Sequence, residues 1–483
     1  MNIETLHKLK DITVLVFGDY MVDRYINGKV NRISPEAPVP VIEVTNEFQK
    51  LGGAGNVINN IISLGGNVRA LGCIGKDNAG DFIIKYFDDK KIDISYFKQF
   101  YEISTIIKTR IVSKSQQFLR IDEEKKENLL KIYVDYVKEN IDSIFNGINS
   151  LVISDYGKGN VTEEISQLLI NEANVRKIPV IIDPKGKKYE KYKNATICTP
   201  NTKELSDVVN ANLETEEAIK KYGYELLKNL NLKYLVITRS EKGISVIDQK
   251  GNKSDYPAQA KEVIDVSGAG DTVVTLMALL SGIGVDIDSM CHMANMAASV
   301  VVSKFGTSTV SLNELISNTY FSDKFKYQNL NSLKYLIKDL HDKGKKVVFT
   351  NGCFDMLHVG HLHSFKEAKK YGDVLIVAVN SDKSVKENKG DLRPIISEDD
   401  RIEMLCSIEY IDYVIKMEEK NPVNIIKELK PDISIKGEDW KNKEVPEKAI
   451  IESYGGKIKF IKLNPNHSTS SIIDKVITVY GKK

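Results

Sequence analysis

Asp265-Val266-Ser267-Gly268-Ala269-Gly270-Asp271-Thr272 sets two glycines just ahead of a carboxylate, at the start of the apolar segment Val273 to Leu280. Val273, Met277 and Leu280 have helical spacing, so the run reads as a glycine turn opening a helix. The first backbone N–H groups of such a helix lack intrahelical acceptors. Gly268 and Gly270 leave a phosphate room to reach them, where the helix dipole favours negative charge. Asp271, in the first turn, is placed to take the proton of an attacking hydroxyl. A glycine-rich helix start with an acidic first turn is the competing explanation, and the rest of the chain must separate the two.

A second constellation is Thr350-Asn351-Gly352-Cys353-Phe354-Asp355-Met356-Leu357-His358-Val359-Gly360-His361. A strand-like run ends at Phe349, a glycine turn follows, and His358 and His361 fall at i and i+3 on the first turn of a helix. Both rings then face one anion, and Gly360 leaves room for a phosphate chain against the helix N-terminus. Core or capping histidines and a metal site that includes His363 are the alternatives. H-x-x-H-x-H does not put three side chains on one helix face, and no Cys or acidic partner has zinc-like spacing, so a nucleotide site leads.

These turns need elements to hold them. Thr13 to Phe17 is an apolar run ending in Gly18-Asp19, and Asp19 and Asp23 are either turn formers or acceptors for sugar hydroxyls. Asn31 to Val44 contains Arg32 and three prolines, which suit an extended edge or flap rather than a central strand. Gly52-Gly53-Ala54-Gly55-Asn56 opens another helix, with Asn56 near its start. Strands are expected at Val68–Ile74, 105–111 and 117–121, a helix at 81–87, and one charged amphipathic helix over 125–148. From Leu151 strands near 151–154, 179–182, 196–199 and 234–238 alternate with helical stretches, which implies a parallel sheet with ligands at its carboxyl ends. Those ends carry Asp155, Asp183-Pro184-Lys185 and Pro200-Asn201-Thr202-Lys203-Glu204. Asn201 and Glu204 share a helix face, as a capping pair or as ligands for phosphate-bound water or a Mg²⁺ shell. Residues 318–331 read as a polar linker. Beyond it a helix around Leu333 to Leu340 and strands at 346–349, 374–379, 413–415, 433–435 and 458–461 make a small doubly wound sheet.

Composition narrows the function. With 483 residues, two domains are expected, and 68 basic against 66 acidic residues exclude a general nucleic-acid binder. The five cysteines show no C-x-x-C pair and no disulfide-like framework, which fits a reduced cytoplasm. No signal peptide and no membrane-length apolar run is seen.

Gly-Gly-Ala-Gly-Asn at 52–56, Pro-Asn-x-x-Glu at 200–204 and Asp-x-x-Gly-Ala-Gly-Asp-Thr at 265–272, in that order, resemble the ribokinase-like (PfkB) carbohydrate kinases. The resemblance implies an α/β fold with a small β lid and Asp271 as catalytic base. ATP would lie at the second half of the sheet, on Asn201, Thr202, Lys203, Glu204, Gly268 and Gly270. Sugar would lie under the lid, on Asp19, Asp23, Arg32, Gly52, Gly53 and Asn56. Asn31 to Pro40 is similar to the lid of heptose-phosphate kinases.

His358-Val359-Gly360-His361 resembles the His-x-Gly-His fingerprint of cytidylyltransferase-type nucleotidyltransferases. Both histidines would then stabilise charge on an α-phosphate, with Asn351, Gly352, Phe354, Gly360, Lys436, Ser468 and Thr469 around the nucleotide. Arg393 and Arg401 could clamp phosphates or be surface charge. Glu438 stands where that family commonly has a second glycine.

Nearly the whole chain resembles the bifunctional heptose-7-phosphate kinase and heptose-1-phosphate adenylyltransferase family. That implies a kinase domain over 1–325 and a Rossmann-like nucleotidyltransferase domain over 328–483. It also implies ATP at both sites, Mg²⁺, K⁺ as a further ion, and a cytoplasmic homodimer. The same chemistries on another sugar or with CTP, or a kinase-like half that only binds sugar, are the alternatives.

Overall fold

Val, Ile and Leu runs that end in glycine, serine or aspartate form the central strands, and burial along almost their whole length reflects helices on both faces. The structure is a computed structural model that describes residues 3–113, 116–124, 131–258, 263–304, 308–320, 326–462 and 469–481. It divides into two units, whose main segments are Thr5–Leu315 and Ile316–Lys483.

In the first unit nine strands form one sheet. Thr13–Gly18 pairs in parallel with Asn67–Gly75 on one side and Ser150–Ser154 on the other, and Val180–Asp183, Ile197–Cys198 and Tyr234–Thr238 continue the parallel run. Ile244–Asp248 and Lys253–Tyr256 finish it antiparallel. Parallel order brings Asp19, Asp155 and Asp183 to the same edge of the sheet. Two helices pack together beside that edge, Ala54–Ser63 and Ala269–Gly282. The second is buried from Thr272 to Leu280, so it is a core helix whose first turn alone opens to a ligand.

A separate four-stranded sheet runs in the order Pro40–Gly53, Tyr20–Ile33, Ile106–Ser113, Gln116–Glu123. Pro40–Gly53 is its edge, beginning at a proline as an edge strand can, and Pro35 and Pro38 lie in the connecting segment. This is the lid. It ends in Gly53 at φ 60°, where an added Cβ would stand 2.3 Å from the Asp19 carbonyl oxygen.

Three expectations need correction. The helix expected over 125–148 is two, Lys131–Glu139 and Ile141–Phe145, with residues 125–130 outside the described ones. Asn140 breaks it by donating its side-chain amide to the Tyr136 carbonyl at 2.8 Å, the local competition that makes Asn a poor interior residue. Asp93–Phe100 and Lys253–Tyr256 are strands that apolar periodicity did not mark, because both lie at sheet edges and carry polar residues. The expected linker contains regular structure. Leu312–Tyr320 is helical, and Lys326 and Gln328 exchange backbone bonds of 2.8 Å with Val414.

In the second unit five parallel strands run in the order Tyr413–Met417, Val374–Asn380, Val347–Gly352, Ile433–Gly437, Lys457–Ile461. Alternate residues of Val347–Gly352 feed separate cores, Val347 and Phe349 on one face and Val348 on the other. The strand order reverses between Val347–Gly352 and Ile433–Gly437, the crevice where doubly wound sheets hold ligands.

Candidate active sites

In the first unit, Asp271 occupies the first turn of Ala269–Gly282, after Gly268 at φ 86°. One carboxylate oxygen accepts the Tyr156 hydroxyl at 2.7 Å and the other the Asn56 amide at 2.5 Å. Burial raises the Asp271 pKa, the Asn56 and Tyr156 hydrogen bonds lower it, and the Asp23 charge raises it. The resulting carboxyl is more basic than usual and is held by two donors. Thr272 N–H bonds the Gly268 carbonyl, whereas neither the Gly270 nor the Asp271 N–H has a backbone acceptor among the described residues. A Cβ on Gly270 would meet nothing within 4 Å, so the approach to these donors is open. They look onto a cleft of about 210 Å³ bounded by Asp183, Asn201, Glu204, Gly268, Gly270 and Asp271.

Asn201 and Glu204 form a reciprocal capping box: Glu204 N–H donates to the Asn201 side chain at 2.9 Å and Asn201 N–H to the Glu204 carboxylate at 3.0 Å. The other Glu204 oxygen meets Lys185 at 2.7 Å. Both residues still border the cleft. Thr202 turns its hydroxyl to the Thr238 carbonyl at 3.5 Å, and Lys203 is exposed and outside the cleft lining, so of the run 201–204 only the capping pair faces the cleft. Asp183 lies in the same cleft, its pKa raised well above the usual range by burial and then by the charges of Asp271 and Glu204.

Asp19 has a different place from the one expected. Its buried carboxylate accepts the backbone N–H groups of Tyr156, Lys158 and Asn160 at 2.9, 3.0 and 3.1 Å. It anchors the loop that carries Tyr156, and a carboxylate with three protein donors is not a free acceptor for sugar. Asp23 is the better placed of the two: it pairs with Arg110, and an added Cβ on Gly52 would stand 2.7 Å from its Oδ2. Arg32 is exposed near the lid tip. Tyr156 was missed by sequence reasoning; its signal was its place directly after the strand-end residue Asp155.

In the second unit His358 occupies the N-cap position of Val359–Lys369 without a side-chain capping bond, and His361 stands in the first turn, the rings stacked with centroids 4.0 Å apart. Burial, then the His358 and Lys389 charges, push the His361 pKa down to about 4. Among the described residues its Nδ1 is buried without a hydrogen-bond partner, as is Nη2 of Arg393, whose Nε side pairs with Asp355. Unsatisfied buried polar atoms are costly, and these two suit an anionic ligand. Asp355 also accepts Ile395 and Ile396 N–H at 2.6 and 3.1 Å, which ties the histidine loop to the Arg393 segment.

Phe354, expected at the nucleotide, packs inward instead, edge-on to His361 at 5.4 Å and against Phe365. Gly352 is required beneath it, since a Cβ there would lie 2.8 Å from the Phe354 ring. Gly360 is buried in the same first turn. Across the crevice Lys436 donates to Asn351 Oδ1 at 2.8 Å and pairs at 2.5 Å with the fully buried Glu447, a residue with no local signal. Arg401 is structural: fully buried, it donates to the Cys353, Asn380 and Ile396 carbonyls and to Asp382. Ser468 lies outside the described residues, and Thr469 begins the helix Thr469–Tyr480.

Residues 11–314 match the pfkB family of carbohydrate kinases, and residues 349–475 match the cytidylyltransferase-like family. Fold and sites together define a carbohydrate kinase joined to a nucleotidyltransferase. The chain is 41% identical to the bifunctional protein HldE of Geobacter metallireducens, over 100% of this chain and 99% of that protein. It is 43% identical to the bifunctional protein HldE of Campylobacter concisus, over 97% and 98%. The chain therefore belongs to the HldE family of bifunctional proteins. Its fold is also similar to that of Arabidopsis thaliana ribokinase complexed with ribose and ATP, with TM-score 0.52 and 19% identity over 64% of this chain and 99% of that one. Among the described residues no helix is long and apolar enough to cross a membrane.

Proposed function

We propose that the first site phosphorylates D-glycero-β-D-manno-heptose 7-phosphate at its anomeric hydroxyl with ATP, and that the second transfers adenylyl from ATP to heptose 1-phosphate, releasing pyrophosphate. The observation that carries the first reaction is Asp271, held between Asn56 and Tyr156 beside two N–H groups that have no backbone acceptor among the described residues. Asp271 takes the hydroxyl proton as the oxygen attacks the γ-phosphorus and the bond from that phosphorus to the bridging oxygen breaks, releasing ADP, while the Gly270 and Asp271 N–H groups meet the phosphoryl charge. In the second reaction the phosphate nucleophile is already ionised, so His358, His361 and Arg393 need only stabilise charge as the bond to pyrophosphate breaks. Purified protein supplied with ATP and a panel of sugar phosphates, scoring ADP and pyrophosphate separately, tests both. Absence of ADP or of pyrophosphate with every sugar removes the corresponding half.

Domain boundaries at 325 and 328 belong to the same proposal, as do the nucleotide roles of Asn201, Glu204, Asn351 and Lys436. Mg²⁺ is assigned to the first cleft because the Asp271 and Glu204 charges bear on Asp183 there, and a dication would screen them together with phosphate; among the described residues no three side chains are arranged to hold a metal alone, so phosphate oxygens and water would complete its shell. K⁺ as activator is tested by exchanging it for Na⁺. The lid face bearing Ile26, Ile111 and Leu119 in one row, with Ile121 beside it, leaves Leu119 and Ile121 53% and 44% exposed and Ile26 and Ile111 partly so, an apolar surface that favours a homodimer; a monomer in sedimentation would remove that assignment. Free cysteines and ATP chemistry suit the cytoplasm, which cell fractionation tests.

Tyr156→Phe removes one of the two donors that lower the Asp271 pKa. Its carboxyl then protonates at higher pH, so the acid limb of the kinase kcat/KM profile should move upward in pH. An unmoved limb with normal folding would separate Tyr156 from Asp271 ionisation. Arg32→Ala, at the exposed lid tip, should raise KM for the sugar phosphate more than KM for ATP; equal effects would contradict a sugar contact.

A further inference from the structure

On one face of the lid, strand register sets Asp23, Lys108 and Asp122 side by side, with Tyr25, Arg110 and Arg120 in the next row. Arg110 pairs with Asp23 and lies over the Tyr25 ring, 5.4 Å from its centroid. Arg120 grips Asp122 through bonds of 2.8 and 2.9 Å. Lys158, two residues beyond Tyr156, pairs with Glu124. Each carboxylate of this cluster thus has its own cation. Lys108 is a further cation, half-buried, with no carboxylate in ion-pair distance among the described residues. Burial first, then the charge of Lys158, push its pKa down, while Asp23 and Asp122 hold it up.

The position of this surplus charge says what would fill it. Asp23 lies close enough to act electrostatically on both Asp271 and Tyr156, so the cluster borders the catalytic carboxylate from the lid side. The nucleotide donors lie in the cleft with Gly268 and Asn201. Sugar hydroxyls would offer Lys108 only neutral partners. A phosphate monoester dianion would supply the missing counter-charge through charge-assisted hydrogen bonds.

We propose that Lys108, backed by Lys158, binds the phosphate that the sugar substrate already carries, and so selects phosphorylated sugars over free ones. This rests on the kinase reading above and adds the residue that reads the remote end of the substrate. The test compares kcat/KM for heptose 7-phosphate and for the unphosphorylated heptose, in full-length wild-type and Lys108→Gln protein. The variant should lose about 10- to 100-fold on the phosphorylated sugar, mainly through KM, the range for one hydrogen bond to a charged group. Activity on the free sugar and KM for ATP should stay unchanged, and Lys108→Arg should restore most of the loss. Equal losses on both sugars would make Lys108 a structural lid residue and overturn the inference, as would undiminished discrimination in the variant. If the wild type phosphorylates neither sugar, the kinase reading fails and the inference falls with it, an outcome distinct from failure in the variant alone.

Discussion

Asp271→Asn should lower sugar phosphorylation by about two to four decades, the scale for removing a positioned general base. The amide keeps the size of the side chain and can still accept one of the two bonds now made by Asn56 and Tyr156. It cannot take the hydroxyl proton. Because the Ala269–Gly282 helix is buried from Thr272 onward and Asp271 lies before that stretch, the substitution should leave the core intact. Circular dichroism checks the fold, and coupled ADP release measures the kinase half-reaction. Near-normal turnover by a folded variant would take Asp271 out of the base role. Adenylyl transfer from supplied sugar 1-phosphate, which uses a different sheet and a different helix start, should be unaffected.

His361→Ala should lower adenylyl transfer by about 10²–10³, the usual loss for one donor aimed at developing charge. Burial holds the His361 pKa down to about 4, so at neutral pH it is an uncharged imidazole whose Nδ1 has no hydrogen-bond partner among the described residues. The sign of its linkage follows. A histidine depressed below its ordinary value adds stability above about pH 6.5, which is lost as pH falls towards 4. The alanine variant lacks this loss, but it also loses the edge-on contact with Phe354. His361→Gln, which keeps more bulk, therefore separates lost chemistry from lost packing. Pyrophosphate release should fall in both variants while sugar phosphorylation continues. If either His361 variant or Asp271→Asn silences both reactions in a folded protein, the two sites are coupled and independent operation is wrong.

Both helix starts were readable because their chemistry is local. Gly268 must adopt a positive φ, Asp271 follows three residues later, and His358 and His361 belong to one cap and first turn. Apolar runs located the central strands for the same reason, since burial on both faces leaves a continuous hydrophobic signature within a few residues. Edge strands such as Asp93–Phe100 lack that signature. Asp19 and Asp23 look alike in sequence, four positions apart, and only the parallel stacking of Thr13–Gly18 against Ser150–Ser154 gives Asp19 to the 156–160 backbone. Asn56 and Asp271 meet across 215 positions and Tyr156 and Asp271 across 115, contacts set by sheet order and helix packing that leave no trace in local composition. Lys436 and Glu447 are similar, because a buried carboxylate is recognised only once the fold has removed water from both members of the pair. Local backbone requirements thus named the two turns proposed to bind phosphate, while tertiary structure alone decided which side chains surround them, because desolvation and partner choice depend on segments that approach only in the folded chain.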